Sequence, residues 1–211
     1  MSSYNLALIG CLLFFSCGQT SKKTLPILGE REAVTKEVNG KTITDTVYQT
    51  IPAFSFINQD SVIITEKDFD NGIYVTDFFF TSCPSICPVM SKNLLKVLAK
   101  FKDNNQVKIL SHSIDTKYDT PWVLKRYADK LGVTGDQWQF VHGSEKDIYG
   151  IADKYMVYAK ENADAPGGFE HQGWLILVDG KKRIRGAYDG TDNDQVAQLM
   201  EDMDILLGEN E

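Results

Sequence analysis

From about residue 50 onward, apolar and polar positions fall into short blocks whose period switches between two and 3.6. "PAFSFINQDSVIIT" (52–65) reads as two short strands around a turn at Asn58, Gln59 and Asp60. "GIYVTDFFFT" (72–81) is an unbroken apolar and aromatic run, the pattern of a strand buried on both faces. In residues 88–101, Val89, Met90, Leu94, Leu95, Val97, Leu98 and Phe101 recur at helical spacing. "VKILSHSI" (107–114) is a second buried strand. Thr120 and Pro121 open a helix that runs to Leu131, with threonine as cap and proline in the first turn. "WQFVHG" (138–143) predicts a short strand, and 144–155 a helix. "GWLILVDGKKRIRGAY" (173–188) predicts a hairpin turning at Asp179-Gly180. A last helix carries Val196, Leu199, Met200, Met203 and Leu207 on one face. Strands alternating with helices, closed by a hairpin and a helix, indicate an α/β sandwich around a mixed sheet flanked by helices, with an N-terminal hairpin extension.

The N-terminal fifth follows another pattern. Residues 6–15 are mostly apolar, too short a run to span a membrane, which takes ~20 residues. They read as the core of a secretory signal, although no Lys or Arg precedes them. In "FFSCGQTSKK", small Ser16 stands before Cys17 and a polar tether follows, which resembles a bacterial lipoprotein cleavage site. Cleavage at Cys11 would leave apolar "LLFF" on the mature chain, so Cys17 is the expected lipidated residue. A plainly cleaved signal is the alternative. The expected organisation is a signal at 1–17, a polar linker at 18–45 and one domain at 46–211. Such a chain is exported, anchored in a membrane by lipid and facing the periplasm or cell exterior, where disulfides persist.

The composition changes this picture little. Of 211 residues, 43% are hydrophobic and 24% charged, as in ordinary globular domains. A formal charge of -7 and the lack of a basic stripe exclude a nucleic-acid partner.

The chemistry concentrates in "DFFFTSCPSICPVMS" (77–91), at the junction of a central strand and a helix, where α/β folds place their sites. With Cys83 in the loop and Cys87 opening the helix, a separation of four brings both sulfurs to one side. Pro88 suits the first turn, and the positive helix end should lower the Cys87 thiol pKa. Such a pair suits Cu(I), thiol–disulfide exchange, or a disulfide that braces the loop, and spacing does not separate the three. Of the three histidines, His142 reads as a loop or capping residue and His112 as a hydrogen-bonded core residue. His171 in "APGGFEHQGWLILVD" (165–179) stands at a strand entrance beside a flexible glycine-rich loop. Asp77, six residues before Cys83 in an apolar strand, resembles the proton-transfer carboxylate of thioredoxins or is an edge-exposed or hydrogen-bonded strand carboxylate. "DGTDNDQVAQLME" (189–201) is no calcium loop, since Asp194 and Met200 hold the positions of its glycine and glutamate. Asp192 or Asn193 is a helix cap there. Phe78, Phe79 and Phe80 read as core, and no nucleophile elbow is present.

These motifs, with "FEHQGWLILVDGKKRIRGAYDG" (169–190) and "SIDTKYDTPWVLKRYADKLG" (113–132), resemble the Sco/SenC family of copper chaperones over residues 50–207. The T-x-C-P-x-x-C-P segment from Thr81 to Pro88 is the most specific part. Val89-Met90 departs from the acidic residue common after the second C-P, and His112 has no clear counterpart. The resemblance implies a thioredoxin-like fold and copper bound by Cys83, Cys87 and His171. It implies as partner the copper-site subunit of a respiratory oxidase, or another cuproprotein. Two thiolates and an imidazole suit Cu(I), while zinc would want a fourth protein ligand. Cu(II) could add a carboxylate or water. Gly167 and Gly168 would let His171 disengage for transfer. The alternatives are a thiol–disulfide oxidoreductase acting through Cys83 and Cys87, the only enzymatic activity in view, and a non-catalytic domain with a structural disulfide. Thioredoxins place a proline just before the strand that faces the cysteines. Here the nearest is Pro166, which favours a metal site. Either metal reading requires Cys83, Cys87 and His171 to converge.

Overall fold

The computed structural model describes residues 23–70 and 72–209. Cys11, Cys17 and the apolar signal segment lie outside them. Eleven strands and four α-helices are present among the described residues. Strands β1 (Arg31–Val38) and β2 (Lys41–Tyr48) pair only with each other. The main sheet uses β3 (Ser55–Asn58), β4 (Ile63–Thr65), β5 (Ile73–Phe79), β6 (Val107–Ser113), β7 (Trp138–His142), β10 (Trp174–Val178) and β11 (Ile184–Asp189). Its order is β11-β10-β5-β6-β7-β3-β4. The three central strands run parallel and the flanking ones antiparallel, so the sheet is mixed. Strands β8 (Ala159–Glu161) and β9 (Phe169–His171) form a separate small hairpin. The helices are α1 (Cys87–Lys100), α2 (Pro121–Leu131), α3 (Glu145–Lys154) and α4 (Asn193–Glu209).

All seven residues of β5 are buried, as its unbroken apolar run predicts. Strand alternation splits its side chains between two cores. Tyr74 and Phe78 face a cluster with Phe54, Phe56, His112 and Tyr155. Phe79 faces the other way, toward Tyr127 of α2 and Phe140 of β7. Asp77 shares the parity of Phe79, which puts its carboxylate on the helical side with α1 and α2. The Ser91 and Tyr127 hydroxyls join those two helices at 2.8 Å. Lys100 on α1 bonds Asp204 on α4 at 2.7 Å.

Local chemistry explains most boundaries. The Asn58 side-chain carbonyl accepts the Asp60 and Val62 N–H groups and shapes the β3–β4 turn. Pro121 opens α2 after Thr120, whose hydroxyl makes no capping bond. Ser144 caps α3 through the Asp147 N–H, and Asp192 caps α4 through the Asp194 and Gln195 N–H groups.

Four expectations need correction. Residues 31–48 form the β1–β2 hairpin, most of it within the 18–45 stretch that reads as linker, because its apolar residues share one face with charges and bury nothing. The β10–β11 connection is a longer loop than an Asp179-Gly180 turn. Lys182 takes the left-handed conformation there (φ 63), and Asp179 accepts the Lys181 and Arg183 N–H groups. Met200 and Leu207 are only half-buried on α4, while Leu206 and Asp202 turn inward, Asp202 to accept the Tyr188 hydroxyl. His142 is the last residue of β7, opposite Ile57, rather than a loop or cap.

The chain enters at the end of the sheet away from the cysteines. The Leu25 N–H donates to Glu209, and Arg185 donates to the Leu25 and Pro26 carbonyls, Asp179 and Glu209. Val178, which precedes Asp179, pairs with Tyr74 near the start of β5.

His112 is fully buried, stacks on Phe78 at 4.8 Å, and bonds the Thr76 hydroxyl through Nδ1 at 3.1 Å. Its Nε2 has no partner. Burial pushes its pKa down from 6.5 to about 3. The unfolded chain therefore binds this proton more tightly than the fold does, and the fold loses stability as pH drops below about 6.5. Between pH 7 and 5 the loss from this group is about 2 kcal/mol. Urea unfolding at both pH values should show a smaller acid loss in His112→Phe by about that amount; an identical loss in the two proteins contradicts the assignment.

Candidate metal centre

The site is built where β5 ends. After Phe80 the chain turns, and the Cys83 N–H bonds the Phe80 carbonyl at 3.2 Å. A single buried carboxylate fixes this turn. Asp119 accepts the Thr81 N–H at 2.9 Å, the Thr81 hydroxyl at 2.5 Å and the Ser113 hydroxyl at 2.6 Å. It thus ties the cysteine loop to the end of β6. Burial raises its pKa, and these donors oppose the rise. The loop delivers Cys83, and α1 begins at Cys87 with Pro88 in its first turn.

His171 arrives from the β8–β9 hairpin, opposite Ala159. Gln172 fastens that hairpin: its N–H bonds the Tyr158 carbonyl, and its side-chain carbonyl accepts the Tyr158 N–H. One of the connecting glycines has a steric task as well. Gly167 is left-handed (φ +79), and a Cβ there would meet the Phe80 ring at 2.7 Å. Phe80 in turn packs edge-on to the His171 ring at 5.8 Å. Lys117 bonds Glu161 at 2.8 Å and ties the hairpin to the segment that carries Asp119.

These contacts bring the three predicted ligands together. One ligand atom from each of Cys83, Cys87 and His171 lies within 4.8 Å of the others. The Cys87 Sγ stands 3.5 Å from the His171 Nε2. The His171 Nδ1 lies 3.3 Å from the Gln172 carbonyl, which can only accept. In the tautomer that donates Nδ1–H to this carbonyl, the Nε2 lone pair would be free for a metal held by the sulfurs. Both cysteines are free thiols. Two soft sulfur donors and one imidazole nitrogen fit Cu(I). His112 and His142 lie outside the cluster.

The thiols differ from one another. Hydrogen bonding from Cys87 holds the Cys83 thiol well below its ordinary pKa. The bond to Cys83 and burial push Cys87 far up. The two sulfurs titrate as a coupled pair, in which the charge of one opposes the ionisation of the other. This corrects the expectation of a lowered Cys87: the adjacent thiolate and burial outweigh the field of the helix terminus, and Cys83 receives the depression instead. Asp77, 3% exposed, accepts the Ser111 hydroxyl at 2.5 Å. Burial raises its pKa to about 6, and its charge helps to raise Cys87. It is a hydrogen-bonded strand carboxylate, as one of the two readings has it.

Sequence reasoning missed Asp119. It stands beside the Thr120-Pro121 helix start, but nothing in the local pattern shows that its side chain reaches back to Thr81. The β8–β9 hairpin was equally hidden, since three-residue strands leave no period to read.

The SCO1/SenC family model matches residues 44–206. A SCO1 protein homolog of Bacillus subtilis (strain 168) is 28% identical over 166 residues, covering 78% of this chain and 86% of the relative. A SCO1/SenC family lipoprotein from Bacillus anthracis str. Ames superposes with a TM-score of 0.69 at 27% identity, covering 75% of this chain and 95% of that one. BsSco, a member of the Sco family of cytochrome c oxidase assembly proteins in which a disulfide switch was identified, gives 0.66 at 27% identity, covering 76% and 94%. With the family match spanning most of the domain, the fold in place and the cysteine–histidine set assembled at the end of β5, the chain belongs to the SCO1/SenC family.

Proposed function

We propose that this protein is a copper chaperone that delivers copper to, or matures, the copper site of a respiratory oxidase. The observation that carries this reading is the convergence of Cys83, Cys87 and the Nε2 face of His171 on one site. The Sco family of assembly proteins to which BsSco belongs supplies the class of partner. Copper is cargo here. The Cys83 thiolate is the first donor available, and full coordination displaces the proton held on Cys87. His171 stands on a hairpin outside the main sheet, so it can leave while both sulfurs stay in place. An incoming ligand of the partner would then take its position, and the metal would pass by ligand exchange. Lipidation at Cys17 would keep the domain at a membrane surface, with the metal end turned away from the point where the chain enters.

A second reading is a thiol–disulfide reductase that keeps a partner's cysteines reduced. Two observations favour it: Cys83 is the more exposed of the pair, 8% against 1% for Cys87, and Asp77 is buried on the same side of the sheet. Attack by Cys83 on a partner disulfide would give a mixed disulfide. Cys87, losing its proton to a base, would then release the partner thiol and close the Cys83–Cys87 disulfide.

His171 separates the two readings, because imidazole is a ligand but not a nucleophile here. His171→Ala should weaken Cu(I) binding at least about a hundredfold in competition titration while leaving the thiol-exchange rate within about threefold. Unchanged copper affinity with lost exchange would replace the chaperone reading by the reductase.

Cys17→Ser tests the anchor. Wild-type protein should partition with membranes into detergent, and the variant should be released or remain unprocessed. Wild-type protein found soluble, with a free N-terminus, contradicts lipidation and leaves the metal reading untouched.

A further inference from the structure

The β1–β2 hairpin is unfinished as a structure. All eight residues of β1, and all of β2 except Tyr48, are exposed. Neither strand pairs with any other among the described residues. A lone two-stranded sheet is marginal in water, and the outer edge of β1 presents unpaired backbone N–H and C=O groups. Val34, Val38, Ile43 and Val47, exposed by 41–54%, share one face. The family match begins at residue 44 and leaves β1 outside it.

The order of charges on β1 says what completes it. From Arg31 to Glu37 the strand reads R-E-A-V-T-K-E. Laid antiparallel on its own copy about Val34, it sets Arg31 against Glu37, Glu32 against Lys36 and Ala33 against Thr35, with Val34 on itself. Each two-fold-related pair occurs twice, so four opposite-charge pairs form across one strand junction, the two at Lys36 sharing its ammonium with Asp45 of the same hairpin and the two of Arg31 with Glu37 unshared. Because Val34 meets Val34, every residue faces one of its own parity. Side chains then keep their faces, and outward-pointing amides meet outward-pointing amides. Neighbouring registers fail. Pairing about Ala33 sets Glu32 against Val34, and pairing about Thr35 sets Ala33 against Glu37. Pairing about Glu32 or Lys36 stacks like charges on the axis. The β2 edge offers less: pairing about Ile43 brings only Lys41 against Asp45, and Asp45 already bonds Lys36 of its own hairpin at 2.9 Å.

We infer that β1 is a self-association edge: two copies of this chain pair their β1 strands antiparallel about Val34 into a continuous four-stranded sheet, β2-β1-β1-β2. The hairpin base sits at the sheet end away from the cysteines. The Leu28 N–H bonds the Ile184 carbonyl and the Ile51 N–H the Lys182 carbonyl, each at 2.8 Å. The dimer therefore leaves both metal centres open to a partner.

The test uses the full chain in detergent at micelle excess. Sedimentation velocity over a concentration series should show reversible dimerisation. Arg31 and Glu37 enter no ion pair within their own hairpin among the described residues, so reversing them disturbs only the junction. Arg31→Glu should weaken the dimer about tenfold and Glu37→Arg likewise, while the double reversal restores it to within about threefold. Val34→Cys should form an intermolecular disulfide under mild oxidation, and Thr44→Cys, on the other strand, should not. A protein that stays monomeric to about 300 µM, single reversals without effect, a double reversal that does not restore, or cross-linking at Thr44→Cys equal to that at Val34→Cys would each overturn the inference.

Discussion

Strand β5 is buried on both faces, and that constraint organises the molecule. A strand with no solvent face must be covered twice, and its alternating side chains decide with what. Tyr74 and Phe78 take the aromatic cluster that holds His112 and Tyr155, while Phe79 and Asp77 take the helical side. The strand has to leave the interior at Phe80, and the turn that releases it holds both cysteines. The carboxylate of Asp119, itself buried, makes this turn rigid by accepting three donors from Thr81 and Ser113. Rigid placement of the sulfurs at a strand end, with a histidine held by a separable hairpin, is a division of labour suited to holding a metal and giving it up.

The thiol pair shows how magnitudes settle an argument that motifs leave open. A helix terminus contributes a partial charge to a nearby thiol. A neighbouring thiolate within 4.8 Å contributes a whole one, with burial added. Cys87 is therefore pushed up although it opens α1, and Cys83 is held down. The protein presents one thiolate ready to receive a cation or attack a disulfide, and one reserve donor whose proton leaves when the site is filled.

Much of this was legible in the sequence because the signals are periodic or strongly local. The apolar run from Ile73 to Phe80 specifies a central strand, the spacing from Val89 to Phe101 specifies α1, and Asp192-Asn193 announces a cap, which Asp192 supplies. Cys83, Cys87 and His171 were identifiable by motif and resemblance, and the structure brings them together. What escaped was non-local or weakly patterned. Asp119 acts on Thr81 across 38 positions of chain. Strands β8 and β9 are too short for a period. The β1–β2 hairpin buries no face, so hydrophobic alternation could not reveal it. The thiol asymmetry depends on a contact between sulfurs that only the folded chain creates.

The central claim is that Cys83, Cys87 and His171 together form the ligand set. The most direct measurement is X-ray absorption at the copper edge on the protein loaded with one equivalent of Cu(I) under reducing conditions, in wild type and in His171→Ala. The account predicts a first shell of two sulfurs and one imidazole nitrogen in wild type, with the imidazole scattering lost in the variant. A wild-type shell without sulfur, a shell with a single sulfur, or imidazole scattering that survives in His171→Ala would contradict it.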